Sequence, residues 1–265
     1  MIGVFDSGLG GLIVLKEILK KSPNESTVYF GDLAHLPYGN KSPETVIKHA
    51  LEGVNFLKQQ GAKIIIIACN TASAYAMSTL YKKFPKITFF DVISPAVQKA
   101  LANTKNQQIG VIATRATIQS SAYEKAILQK SKSELKIKVY SQACPLLVPL
   151  IEEGWEKQPE TNLILKKYLK PLSQKKIDTL ILGCTHFPKL KNQIKKIIKH
   201  QANIIDSAQT VSSKLQQYLS KNKIKNNSRP KHTFFVSDLS LGIEKMAKHF
   251  LSRNRIKFQK IVFTN

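Results

Sequence analysis

The chain has 265 residues, 43% of them hydrophobic, a net charge of +24 and three cysteines. This apolar share supports a substantial core, read as two domains, and no uninterrupted apolar stretch reaches the roughly 20 residues of a membrane span. An odd number of unpaired cysteines and an N-terminus that enters a strand directly point to a soluble cytoplasmic protein. The charge suggests nucleic acid, yet only four of the 41 basic residues are arginines. The lysines scatter along helical stretches such as Lys189 to Lys199, so the excess reads as solvated faces and not a specific nucleic-acid surface.

Ile2 to Phe5 reads as a strand running into the glycine-rich loop Asp6-Ser7-Gly8-Leu9-Gly10-Gly11, and Leu12, Leu15, Ile18 and Leu19 then repeat at helical spacing. Exposed amides at this helix start suit an anion. Ile13 stands where a dinucleotide fingerprint needs its third glycine, and no phosphate-loop lysine follows, so a small carboxylate fits better than a nucleotide. Thr27 to Phe30 is a second strand, followed by a turn through Pro37, Tyr38 and Gly39 and a helix from about Pro43 to Gln60.

Two similar apolar runs follow at a distance from each other, Ile64 to Ala68 ending in Cys69-Asn70-Thr71, and Leu180 to Gly183 ending in Cys184-Thr185-His186. Each reads as a buried parallel strand that delivers a thiol to a loop beyond its carboxyl end, where ligands of such sheets gather. Between them, Phe89 to Ile93 predicts a strand, and Ser94-Pro95 opens a helix. Ile109 to Ala113 is a further strand, with Thr114-Arg115-Ala116-Thr117 before a helix, and Lys136 to Tyr140 follows as another. Glu152 and Glu153 end an apolar stretch, and Phe187-Pro188 starts a helix after the second thiol. Asn203 to Asp206 returns the chain to the first lobe. Asn222 to Lys231 is a polar connection expected to be mobile, and Thr233 to Val236 is the last predicted strand. The fold expected is α/β, with two similar lobes, each a mostly parallel sheet flanked by helices, and the site in the cleft between them. Residues 1–92 plus 206–265 form one lobe and 93–205 the other.

A buried cysteine is usually a small hydrophobe, and Cys144 reads that way. Cys69 and Cys184 are instead followed by hydroxyl and amide residues that need partners in a core. A cysteine hydrolase would use one thiol and leave the second unexplained. A metal site would need ligands that no close cluster supplies. Two facing acid/base groups remain, one removing a proton and the other returning it from the opposite side, which inverts a stereocentre.

Six blocks in order, Phe5 to Gly11, Pro37 to Gly39, Ala68 to Ser73, Ala116 to Ser120, Pro149 to Glu153 and Gly183 to Pro188, resemble the glutamate racemases of the aspartate/glutamate racemase superfamily. The Cys-Thr-His-Phe-Pro segment favours the glutamate enzymes over their aspartate relatives. The resemblance implies cofactor-independent racemisation of glutamate, with D-glutamate supplied for peptidoglycan. Cys69 and Cys184 become the catalytic bases, with Asp6, Glu152 and His186 as supporting acid/base groups. Asp6, Ser7, Tyr38, Gly39, Asn70, Thr71, Thr117, Thr185 and His186 become substrate contacts. No metal is implied, and neither a homodimer nor a cell-wall-precursor effector is decided by these residues. Leu9, Ile13, Leu33 and Leu36 depart from the usual pattern without touching either thiol. Aspartate racemisation and a lysine-driven nucleic-acid binder are the alternatives.

Overall fold

The computed structural model describes residues 1–131, 136–199, 201–224, 226, 228–252 and 256–263. Residues 225 and 227 of the expected polar connection lie outside this set. The first part of the chain alternates strand and helix: β1 (Ile2–Asp6), α1 (Gly11–Lys21), β2 (Thr27–Gly31), α2 (Pro43–Gln59), β3 (Ile64–Ile67), α3 (Asn70–Lys83) and β4 (Thr88–Asp91). Then come α4 (Ile93–Asn103), β5 (Gln108–Ala113), α5 (Arg115–Gln119), α6 (Ala122–Lys130), β6 (Lys138–Ala143), α7 (Leu147–Glu152), α8 (Pro159–Gln174) and β7 (Thr179–Gly183). The remainder is α9 (Lys191–Ile197), β8 (Asn203–Asp206), α10 (Ser207–Lys221), β9 (His232–Val236), α11 (Ile243–Leu251) and β10 (Phe258–Lys260).

The strands form two sheets, ordered β10-β9-β2-β1-β3-β4 and β6-β5-β7-β8. Every described pairing is parallel. Strands buried on both faces explain the unbroken aliphatic runs: β1, β2, β3 and β7 are buried along their whole length. Chain order reverses beside β1, which has β2 on one side and β3 on the other, and beside β5, which lies between β6 and β7. Crevices open beyond the carboxyl ends of strands at such reversals. Asp6 and Cys69 emerge at the first reversal, and Thr114 and Cys184 at the second. The two sheets share one apolar cluster that includes Val4 and Ile66 from the first and Leu180 and Leu182 from the second.

Four local expectations change. The strand expected over Phe89 to Ile93 ends at Asp91, because its carboxylate accepts the backbone amides of Ile93 and Ser94 at 2.8 and 2.6 Å and starts α4 there. Asn203 to Asp206 does not leave the second sheet: β8 pairs with β7. The helix that follows, α10, is capped at its start by Asp206. Phe187-Pro188 begins a 3-10 turn through Leu190 before α9. The last strand is β10, which pairs with β9; its three residues are too few to show a periodic signal.

Candidate active site

The glycine-rich loop after β1 holds an anion, but the anion is the chain's own. The amide of Gly8 donates to Asp6 Oδ2 at 3.0 Å, and the Gly11 amide also donates to this carboxylate. Gly11 must lack a side chain here, since a Cβ would sit 2.5 Å from Asp6 Cβ and 2.9 Å from its Cγ. The expectation of a ligand carboxylate on these amides is therefore corrected. Asp6 is 1% exposed, and its Oδ1 has no hydrogen-bond partner. Burial pushes its carboxyl pKa up, against the pull of the two amides and of the nearby His186.

Cys69 closes the run of β3 and precedes the first turn of α3. Burial, with the charge of Asp6, pushes its thiol up to about 12, while the Ser7 hydroxyl and the Ala72 amide act in the opposite direction. Ser73 is satisfied by the Ile67 carbonyl at 2.9 Å. Asn70 donates to the Tyr123 hydroxyl at 2.8 Å, and its side-chain oxygen is buried without a partner. Thr71 reaches across to the loop after β5: its hydroxyl lies 3.0 Å from those of both Thr114 and Thr117, which are 2.9 Å from each other.

Cys184 follows β7 and faces His186, whose Nδ1 lies 3.8 Å from Sγ. His186 Nε2 is 3.0 Å from Glu152 Oε1 at the end of α7. Burial alone would disfavour the imidazolium. Contacts with Cys184 and Glu152 outweigh it and push the pKa up to about 10. Of the two adjacent acids, Glu152 turns inward and Glu153 is exposed.

Both thiols line one cavity of about 240 Å³, below the roughly 300–1,000 Å³ of pockets for drug-sized ligands. Ser7, Tyr38, Gly39, Asn70, Thr71, Glu152, Thr185 and His186 line it too. Asp6 and Thr117 stand behind this wall, Asp6 acting on Cys69 through its charge and Thr117 bonded to Thr71. Thr114, Arg115, Asn40, Pro145 and Val148 also line the cavity and were not singled out as site residues. Thr114 had a signal, a hydroxyl directly after a strand. Pro145 and Val148 had none, since nothing local distinguishes them from packing residues. Cys144 is buried, its thiol 3.6 Å from the Gln142 carbonyl.

No described helix is long and apolar enough to cross a membrane. The sequence profile of the Asp/Glu/Hydantoin racemase family matches residues 6–214. A glutamate racemase of Geobacter metallireducens is 42% identical over 252 residues, covering 94% of this chain and 92% of that protein. Among solved structures, a glutamate racemase of Bacillus anthracis superimposes with a TM-score of 0.92 at 39% identity, covering 98% of this chain and 97% of the other. A glutamate racemase of Francisella tularensis in complex with D-glutamate gives 0.91 at 39% identity, covering 98% and 96%. Two reversal-point thiols in one small cavity, the profile and relatives of nearly full length converge: the chain belongs to the Asp/Glu/Hydantoin racemase family.

Proposed function

We propose that the chain interconverts L- and D-glutamate without a cofactor, Cys69 and Cys184 acting as acid and base on opposite sides of the α-carbon, and that in the cytoplasm it supplies D-glutamate for peptidoglycan. The observation that carries this reading is the pair of buried thiols at corresponding strand ends, both lining one cavity of about 240 Å³. Relatives of nearly full length named glutamate racemase support the choice of substrate.

In the empty cavity, burial and Asp6 keep Cys69 protonated, ready to donate when L-glutamate is the substrate. A bound ammonium brings positive charge beside the thiols and lowers the cost of forming a thiolate. The unpartnered oxygen of Asn70 on the cavity wall is a buried acceptor whose satisfaction favours such a cation. His186 lies within reach of Cys184 and passes protons to and from it, with Glu152 behind holding the ring. The reaction passes through a carbanion-like state, and hydroxyl and amide donors at the strand ends stabilise charge developing on the α-carboxylate.

The experiment is incubation of the pure protein with L-glutamate and, separately, L-aspartate without added cofactor, following optical activity. Decay of the glutamate signal to zero supports the proposal. Decay of aspartate alone moves the reading to the aspartate relatives, and no decay of either rejects it.

A further inference from the structure

We infer that Asp32, His35 and His49 form a binding site for a divalent transition-metal ion, with Zn²⁺ as its representative, apart from the two thiols. The three are scattered in sequence and meet only in the fold. Asp32 follows β2, His35 ends the 3-10 turn Leu33–His35, and His49 lies within α2. One donor atom from each lies within 4.8 Å of the other two.

The two imidazoles are stacked, with centroids 3.7 Å apart and 16° between their planes. Carboxylates hold Nδ1 of both rings. The oxygens of Asp32 are 2.8 and 3.0 Å from His35 Nδ1, and Glu52 Oε2 is 2.8 Å from His49 Nδ1. Glu52 on His49 Nδ1 leaves that ring a lone pair on Nε2, the arrangement commonly found behind metal-bound histidines, whereas an ion between His35 Nδ1 and the Asp32 oxygens takes the place of the proton they share, which is released. Two imidazoles and one carboxylate suit Zn²⁺, Co²⁺ or Ni²⁺, whereas Mg²⁺ and Ca²⁺ take shells of oxygen. Bonds of about 2.0–2.2 Å require the donors to approach more closely than they do here. The side chain of His35 is 39% exposed and has room to adjust, whereas that of Asp32 is 2% exposed.

The site communicates with the cavity. Asp32 Oδ2 accepts the Tyr38 hydroxyl at 2.7 Å, and Oδ1 accepts that of Ser237 at 2.7 Å. Tyr38 lines the cavity, so an ion on Asp32 is one hydrogen bond from the substrate loop.

The test uses the full chain carrying Cys69→Ser and Cys184→Ser, which removes the thiols as competing zinc ligands. Chelator-treated protein is titrated calorimetrically with Zn²⁺, and its melting temperature is followed. One Zn²⁺ per chain and a melting temperature that climbs with Zn²⁺ are expected, with no response to Mg²⁺. In this background His35→Gln and His49→Gln each weaken binding by more than the about 10–100-fold cost of losing an outer partner, and His186→Asn leaves it unchanged. Absence of saturable uptake, uptake that survives both glutamine variants, or uptake lost with His186→Asn would overturn the inference. The three residues would then be only a hydrogen-bonded support for the Tyr38 loop.

Discussion

Glu152 Oε1 lies 3.0 Å from His186 Nε2, and this contact sets which ring nitrogen faces Cys184. Glu152→Gln and His186→Asn are therefore expected to act mainly on the proton transfers of Cys184, which the resemblance to the glutamate racemases makes the base toward L-glutamate. The two enantiomers are equally stable, so kcat/KM must fall equally in both directions. Asymmetry appears in kcat and KM taken separately, with kcat from L-glutamate reduced more, by up to the about 10²–10⁴-fold that a general acid–base group contributes. Steady-state kinetics of both enantiomers measure this, and identical changes in kcat for the two would remove His186 from the Cys184 side.

Each direction of the reaction uses both thiols, so Cys69→Ser and Cys184→Ser should each cost at least about 10²-fold in turnover. In deuterated water the newly formed enantiomer should carry α-deuterium, because the returning proton comes from the other, solvent-exchanged thiol. Mass spectrometry of separated enantiomers reads this out. Near-normal racemisation by either variant sinks the two-thiol mechanism.

Stability should decline on the alkaline side. Folding raises His186 from its ordinary 6.5 to about 10 and Cys69 from 9.0 to about 12, so both hold their protons more tightly in the native state. Their contribution is complete below pH 6.5. It is lost as pH rises, first through the imidazole between 6.5 and 10, then through the thiol between 9 and 12. Urea unfolding at a series of pH values should show this slope, and His186→Asn should flatten its first part.

Gly39 brings the Tyr38 loop against the loop after β5. A Cβ there would lie 2.9 Å from Thr114 Cβ and 3.1 Å from its Cγ2. Gly39→Ala should cost about 1–3 kcal/mol through overpacking, and should raise KM by displacing Thr114 from the Thr71 and Thr117 hydroxyls. Thermal unfolding together with kinetics checks both, and an unchanged KM would detach this hydroxyl cluster from substrate binding.

The branched-aliphatic runs before Cys69 and Cys184 determined by themselves that two buried parallel strands carry thiols to a crevice. A short branched-aliphatic run closed by small and polar residues suits a strand covered on both faces, as in a parallel sheet. The blocks around Asp6, Tyr38, Thr117 and Glu152 read locally as loops, turns and helix starts, and their part in the site came from the resemblance to the glutamate racemases. Tertiary structure alone decided that the loop amides after β1 serve Asp6, that Glu152 and not Glu153 turns inward, and that Thr114, Pro145 and Val148 join the wall. It alone brought His35 onto His49. Periodicity fixes which face of an element is buried, but the distance between groups on different elements depends on how helices and sheets pack, and no local pattern encodes that.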